Sequence, residues 1–250
     1  MTSASSLVSE AIAAHGGHER WHASPELEVR VSADGLALAA KFQRRGLRDL
    51  EARVSTEYQR TVFTPYPRRG YRGILERGAV RIESLDGKTI RSRSDPRAAL
   101  RRPRRLLWWD ELDALYFGAS ALWAYLATPF VFTDPGFHVR AGDPWEERGE
   151  RWRTLAVTFP AEIHTHSREQ LFYVGDDGLI RRHDYTAEEF GQWARSAHYW
   201  FDHHDFAGLV VPRKRRVFPR RKDRRSRGHP LLVWIDVTAV SPISAFLATS

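Results

Sequence analysis

Tight turns that end in glycine divide most of this sequence into runs of strand length. These turns are Asp34-Gly35, Arg77-Gly78, Asp86-Gly87, Asp177-Gly178 and Ala207-Gly208. Apolar and polar residues alternate in the runs between them, as in residues 27–31, and this is the period of a strand with one buried face. Such runs are typical of antiparallel hairpins. We therefore expect about eleven short strands in one antiparallel sheet, over residues 27–91 and 152–238.

The segment between the two sheet regions has the period of a helix instead. Its apolar residues recur at spacings of four and three: Trp108, Leu112, Leu115, Ala119, Leu122 and Leu126. Acidic residues at positions 110, 111 and 113 favour the start of a helix, and Pro129 ends it. This pattern predicts a plug helix over residues 108–127. A shorter amphipathic helix is expected over residues 3–15, because Gly16-Gly17 stops it.

A helix of this kind can fill the concave side of a curved sheet. The predicted fold class is therefore mainly β (α+β), a large curved antiparallel half-barrel with a mid-chain helix on its concave side and a short N-terminal helix. With 42% hydrophobic residues the chain can bury a sizeable core, and we expect a single domain over residues 1–250. Residues 36–42 are expected to form a strand after the first turn.

The sequence lacks the residues that several function classes require. It has no cysteine, which excludes disulfides, thiolate nucleophiles and cysteine-ligated metal centres. It has no GxSxG elbow and no glycine-rich loop between a strand and a helix, so an α/β-type serine hydrolase and a nucleotide cofactor are not expected. Residues 1–17 lack the pattern of a signal peptide, and no apolar stretch is long enough to span a bilayer. We therefore expect a cytoplasmic protein with no cofactor and no membrane partner.

The net charge of +8 comes mainly from two basic clusters, at residues 101–105 and 213–227. A basic patch attracts phosphates, but a nucleic-acid reader adds aromatic stacking platforms or a recognition helix. Neither stands beside these clusters in the sequence. The second cluster lies between two strand-like runs and is closed by Gly228 and Pro230, so it is expected to be a strand end and a solvated loop. No nucleic-acid partner is expected.

Several short motifs resemble those of an uncharacterised bacterial family, over residues 110–220. They are Tyr116-Phe117-Gly118, Thr128-Pro129-Phe130, Thr165-His166-Ser167-Arg168-Glu169-Gln170, Arg182-His183-Asp184-Tyr185 and His198-Tyr199.

The whole chain also resembles the half-barrel of the bacterial lipoprotein-localisation and LppX-like proteins. The resemblance rests on a helix ending at His15-Gly16-Gly17 before the first hairpin, and on a large sheet closed by a mid-chain helix. The violacein-biosynthesis enzyme VioE shares that fold and works without a cofactor. The resemblance implies a concave face that binds a hydrophobic or aromatic small molecule. Because exported carriers of this fold have a signal sequence, export of lipoproteins is not expected here.

Histidines cluster late in the chain, and six of the eleven lie between His164 and His204. A two-residue period places His183 and Tyr185 on one strand face. The same period places His198, Trp200 and Asp202 on one face of the next long strand, and adjacent strands could bring the two faces together. An imidazole, a carboxylate that orients it and a phenol can together move a proton on a bound molecule. The expected catalytic residues are His183, Tyr185, His198 and Asp202. The expected substrate-binding residues are His166, Arg182, Trp123, Tyr125, Tyr199 and Trp200.

This set predicts a cofactor-independent enzyme that catalyses cyclisation, isomerisation or dehydration of a hydrophobic metabolite in biosynthesis. A non-catalytic carrier that uses the same cavity is the first alternative, and the direction in which the polar set faces distinguishes the two. A metal-dependent hydrolase is the second alternative, since His164 and His166 share one strand face. That alternative needs a third ligand, from His198, His203 or His204. The sequence leaves the oligomeric state open.

Overall fold

Thirteen antiparallel strands form one continuous sheet in the computed structural model, which describes residues 3–243. The strands are β1 (Glu26–Asp34), β2 (Leu47–Ser55), β3 (Arg60–Thr64), β4 (Tyr71–Glu76), β5 (Ala79–Ser84), β6 (Thr89–Arg93), β7 (His138–Glu147), β8 (Glu150–Thr158), β9 (Glu169–Val174), β10 (Ile180–Thr186), β11 (Arg195–Phe206), β12 (Leu209–Pro219) and β13 (Val233–Ile243). Their order is β6-β5-β4-β3-β2-β1-β13-β12-β11-β10-β9-β8-β7, so β1 and β13 pair at the centre. The sheet is curved and does not close into a barrel, which confirms the predicted mainly β half-barrel.

Five helices accompany the sheet over the same residues. They are α1 (Ala4–Ala14), α2 (Gly17–His22), α3 (Leu36–Ala40), α4 (Pro96–Leu100) and α5 (Glu111–Ala127). None of the helices within residues 3–243 is both long enough and apolar enough to cross a lipid bilayer.

The helix α5 lies on the concave side, where nearly all of its side chains are buried. Both halves of the sheet hold it. The Thr61 hydroxyl donates to a carbonyl of α5 at 3.0 Å, and Trp123 Nε1 donates to the Ser55 carbonyl at 2.9 Å. From the other half, Arg215 Nη2 donates to the Tyr125 carbonyl at 2.9 Å. These contacts confirm the expected plug helix.

The helix α5 begins three residues later than the predicted start at Trp108. Asp110 accepts a hydrogen bond from the Asp113 amide at 3.0 Å, and the Asp113 side chain accepts from the Asp110 amide at 3.0 Å. This reciprocal capping box fixes the first turn at Glu111. Trp108 therefore precedes the helix and remains 44% exposed.

Two elements differ from the sequence expectation. Residues 36–42, expected as a strand, contain the helix α3, because Gly35 turns the chain at a φ of +147° and a run of leucine and alanine favours helix. A Cβ at Gly35 would lie 2.3 Å from the Leu232 carbonyl oxygen. The strand β7 was not predicted from the sequence. It lies at the edge of the sheet, and most of its residues are exposed. Such a strand has no apolar alternation to recognise.

Candidate functional site

The strands β10 and β11 carry polar side chains on both faces of the sheet, because successive residues alternate between faces. Their register pairs His183 with His198 and Arg182 with Tyr199. The predicted site residues are thus divided between two groups. The inner cluster, on the concave side under α5, consists of Tyr125, His183, Tyr185, His198, Trp200 and Arg215. The outer cluster, on the convex side, consists of Glu147, Tyr173, Arg182, Asp184 and Tyr199.

The inner cluster is a stack of buried rings. The rings of His183 and His198 lie 4.4 Å apart between centroids, and Tyr125 of α5 covers His198 at 4.8 Å. Trp200 Nε1 donates to His183 Nδ1 at 2.8 Å, and Tyr185 stacks on His183 at 5.0 Å. The structure therefore brings together His183, Tyr185 and His198, which the two-residue period had placed on neighbouring strand faces.

The inner cluster contains one cation and no acidic side chain. Arg215 is 1% exposed, stands over the Trp200 ring at 3.9 Å, and is held by no carboxylate among residues 3–243. Burial lowers its pKa to about 9. Burial also lowers the pKa of His183 and of His198 well below the usual range, and Arg215 adds to both shifts. Both imidazoles are therefore neutral at pH 7, and within residues 3–243 neither nitrogen of His198 has a hydrogen-bond partner.

His166 lies beside the inner cluster, in the segment between β8 and β9. Its Nδ1 is 2.9 Å from Glu189 Oε1, and its Nε2 is 3.1 Å from the Tyr125 hydroxyl. The carboxylate fixes the orientation of the imidazole, which is 3% exposed. His164 points elsewhere: its Nδ1 is 3.0 Å from the Tyr116 hydroxyl, and burial lowers its pKa to about 4.

Asp202 lies apart from the inner cluster, which corrects the expectation that it shares a face with His198 and Trp200. Its φ of +56° interrupts the alternation of β11. The Asp202 carboxylate is exposed and lies 3.4 Å from Lys214 Nζ. The next residue, His203, turns inward instead and lies 6.0 Å from the ring of His15.

Arg182, Tyr199 and Trp123 are also separate from the inner cluster. Arg182 Nε donates to Asp184 at 2.7 Å, and its Nη1 donates to Glu147 at 2.5 Å on the convex side. The Tyr199 hydroxyl donates to the same Glu147 carboxylate. Trp123 packs in the other half of the molecule, against the end of β2. These three predicted substrate-binding residues therefore make structural contacts outside the inner cluster, two of them on the opposite face of the sheet.

The metal alternative required three converging imidazoles. Within residues 3–243, no group of three or more histidine, aspartate or glutamate side chains is placed to hold a metal ion. His164 bonds to Tyr116 and His166 to Glu189, while His198 lies in the stack with His183. The expected convergence is therefore not found.

A small apolar cavity lies between α5 and the centre of the sheet. Its volume is about 50 Å³, which suits one or two water molecules. Tyr125, His166 and Tyr185 contribute to its wall, but His183 and His198 do not. The rest of the wall is mainly aliphatic, from Val31, Leu38, Leu47, Leu50, Leu122, Val217, Val233 and Ile235.

A larger groove of about 680 Å³ opens beside this cavity. It runs between α3, the segment 187–196 and the segment 217–233, and it shares Phe117, Tyr185, Val217 and Val233 with the cavity wall. Its apolar lining comes from Leu36, Ala37, Ala40, Ala187, Phe190, Trp193, Pro219, Pro230 and Leu232. Its cationic lining comes from Arg195, Arg220, Arg221, Lys222 and Arg227. This volume is in the range of pockets that hold small organic ligands.

The sequence predictions missed most of this groove. Its walls come from α3, which was expected as a strand, and from two loops whose spatial proximity depends on the sheet order. The available signal was Trp193, a large apolar residue two positions after Gly191. Trp193 is 76% exposed, and it lines the groove together with Leu36 and Phe190.

No protein-family model and no curated protein sequence matches the chain. Among solved structures, a LolA superfamily protein from Nitrosomonas europaea superposes with a TM-score of 0.53 at 11% identity, covering 97% of this chain and 94% of that one. A DUF1329 family protein from Desulfovibrio piger superposes at 0.51 and 11% identity, with the same coverage. A domain from Vibrio parahaemolyticus named for outer membrane lipoprotein sorting superposes at 0.51 and 8% identity, covering 96% and 92%. The expected likeness to the lipoprotein-localisation half-barrel is confirmed at the level of the fold.

Proposed function

We propose that this protein binds a hydrophobic molecule in the groove and carries it without changing it chemically. The groove carries the proposal, because it combines sufficient volume with a lining that is mainly apolar. One neighbour of the same fold is named for the sorting of lipoproteins, which bear acyl chains. An acyl chain or a similarly apolar body suits the lining of this groove as well.

The small cavity adjoins the groove and is a second space that a ligand could enter. Phe117, Tyr185 and Val217 line both, so the wall between them consists of side chains rather than backbone alone. The cavity alone is too small for an acyl chain. A ligand longer than the groove would therefore reach the concave interior only when these side chains change rotamer.

The position of the inner cluster favours a carrier over an acid–base enzyme. Tyr185 lines the groove, but His183 and His198 lie behind it and line neither the groove nor the cavity. A catalytic base must come within hydrogen-bond reach of the atom that it deprotonates. The catalytic roles of His183, Tyr185, His198 and Asp202 stay predictions from the sequence.

A groove-filling substitution tests the proposal. In the variant Ala40→Trp, an indole enters the groove, so the affinity for a fluorescent fatty acid such as cis-parinaric acid should fall about tenfold or more. Ala39→Trp is the matched control, since Ala39 belongs to the same short helix and does not line the groove. Fluorescence titration measures both. Equal affinity in the wild type and both variants would show that the fatty acid does not bind here.

A further inference from the structure

Most of the large apolar side chains that remain exposed lie in three short segments, and two of these segments line the groove. Nine such side chains are exposed among residues 3–243, and six of them belong to three short segments. The six are Leu36 (50%), Phe42 (74%), Leu106 (51%), Leu107 (74%), Trp108 (44%) and Trp193 (76%). We call these segments, residues 36–45, 101–108 and 190–194, the rim.

Contacts between buried neighbours hold the three rim segments together. Lys41 Nζ donates to the Arg105 carbonyl at 3.0 Å, and its charge lies 4.8 Å from the centroid of the Phe190 ring. The Gln43 amide donates to the Trp109 carbonyl at 2.7 Å. Phe42 and Leu107 therefore project from adjoining turns that are anchored on both sides. The exposed apolar side chains are parts of one surface and not isolated residues.

Exposed arginines stand between these apolar side chains. Arg44 and Arg45 follow Phe42 in the same turn, and the segment before Leu106 holds Arg101, Arg102 and Arg104. Within residues 3–243 none of these five guanidinium groups has a carboxylate within 4.0 Å, whereas the buried Arg105 is bound to Asp110 and Asp113. The groove adds Arg221 and Lys222 on its own side of the mouth. The rim is thus both apolar and cationic.

We propose that the rim docks on an anionic lipid bilayer and holds the groove mouth against it. Tryptophan, phenylalanine and leucine side chains partition into the boundary between headgroups and acyl chains, and unpaired arginines are attracted to anionic headgroups. The two contributions reinforce one another, since the arginines lie beside the apolar side chains in the same turns. The charge of the rim selects an anionic surface as its partner.

The expectation of no membrane partner rested on the absence of an apolar stretch long enough to span a bilayer. The rim needs no spanning segment, because a surface-bound protein inserts only side chains. Its parts are separated by long stretches of chain, and only the fold brings Phe42, Leu107 and Trp193 to one surface. The docking proposal rests on this surface and holds whether or not the groove takes a fatty acid.

Co-sedimentation with vesicles tests the docking surface. The wild type should bind phosphatidylcholine vesicles that contain added phosphatidylglycerol, and bind pure phosphatidylcholine vesicles at least tenfold more weakly. Added salt should weaken the binding, because it screens exposed charges. Equal binding to both kinds of vesicle, or no binding to either, would overturn the proposal.

Two double variants divide the apolar contribution from the cationic one. Phe42→Ser with Leu107→Ser, and separately Arg44→Glu with Arg45→Glu, should each reduce binding to the anionic vesicles about tenfold or more. None of these four residues lines the groove, so binding of cis-parinaric acid should be unchanged. A loss of fatty-acid binding would therefore indicate a change in the groove, whereas a loss of vesicle binding alone would indicate a change in the rim.

Matched controls come from exposed residues elsewhere. Tyr58 is 42% exposed in the turn at the far end of β2, and Tyr58→Ser should leave vesicle binding unchanged. The exposed pair Arg53→Glu with Arg151→Glu removes the same charge from β2 and β8 and should cost less than threefold. If these controls lose as much binding as the rim variants, net charge and not the rim attracts the vesicles, and the proposal fails.

Discussion

The buried arginines on the two faces of the sheet around β10 and β11 have opposite surroundings. On the outer face, Arg182 donates to Asp184 and Glu147, and both carboxylates accept from it at hydrogen-bond distance. On the inner face, Arg215 of the adjacent β12 lies against the Tyr125 and Trp200 rings and donates to the Tyr125 carbonyl. The outer cluster pairs Arg182 with two carboxylates, and Arg220 of β12 adds a second cation 3.3 Å from Asp184. The inner cluster instead holds one cation that has no carboxylate partner among residues 3–243, beside two neutral imidazoles.

This difference shows how one sheet can have a rigid face and an adaptable one. In the outer cluster, removal of any one partner leaves a buried charge without its counterpart, which is costly. In the inner cluster the polar atoms are already incompletely bonded, as His198 and one guanidinium nitrogen of Arg215 show. Among residues 3–243 the inner cluster, from which Tyr185 lines the proposed ligand groove, therefore has no ion pair that a change of packing would break.

The largest expected effect comes from Arg182→Met. It removes the arginine that bridges Asp184 and Glu147. Glu147 then loses its ion pair and Asp184 keeps the one to Arg220, so the free energy of unfolding should fall by about 3–5 kcal/mol. Arg216→Met is the matched control on the same face, because its partner Asp236 is half-exposed, and it should cost about 1 kcal/mol or less. Urea denaturation measures both. A similar small loss in the two variants would remove the contrast between the faces.

The pH dependence of stability is the second way to test the contrast. The folded-state pKa of His198 is lowered by burial, whereas the unfolded chain titrates near 6.5, so the unfolded state binds more protons below pH 6.5. The stability contributed by the neutral imidazole is present above pH 6.5 and is lost as the pH falls. At pH 5 this loss amounts to about 2 kcal/mol for one such histidine. His198→Phe should abolish that part of the loss.

The measurement is the difference in unfolding free energy between pH 7.5 and pH 5, from urea titrations. His204→Phe serves as the control, since His204 is exposed near the end of β11, and it should keep the wild-type difference. If His198→Phe keeps it as well, the inner imidazole is charged in the folded protein, and the comparison between the faces is incorrect.

The smallest effect is expected for Arg215→Met. This change removes one hydrogen bond to the Tyr125 carbonyl and the contact with the Trp200 ring, but it also removes an unpaired buried charge. The two effects offset one another, so the unfolding free energy should change by about 1 kcal/mol or less. Thermal and urea unfolding of the variant check this. A loss as large as that of Arg182→Met would mean that Arg215 has an anionic partner.

Much of the fold could be predicted from local pattern. Glycine turns and two-residue alternation predict the antiparallel sheet, and the three-and-four spacing before Pro129 predicts α5. The helix at residues 36–40 and the strand β7 could not be recognised from the sequence. The first is a short run of leucine and alanine that depends on the turn at Gly35, and the second has no buried face.

The candidate site was less accessible to sequence reasoning. The two-residue period placed His183 and Tyr185 on one face, but only the register of β10 with β11 pairs His183 with His198. The left-handed backbone at Asp202 moved that carboxylate away, and a residue other than glycine gives no warning of it. Trp193 and Leu36 line one groove because of the sheet order, which no local pattern contains.

The pairing of β1 with β13 affects how the chain folds during its synthesis. The two arms of the sheet, β1–β6 and β7–β12, consist of hairpins between neighbours in sequence, which can form as each segment leaves the ribosome. Their union waits for residues 233–243, the segment that closes the longest loop in the molecule. Until then β1 and β12 each present an unpaired strand edge, which is a template for association with other chains. We therefore expect this protein to be most prone to aggregation during synthesis in the interval before β1 pairs with β13.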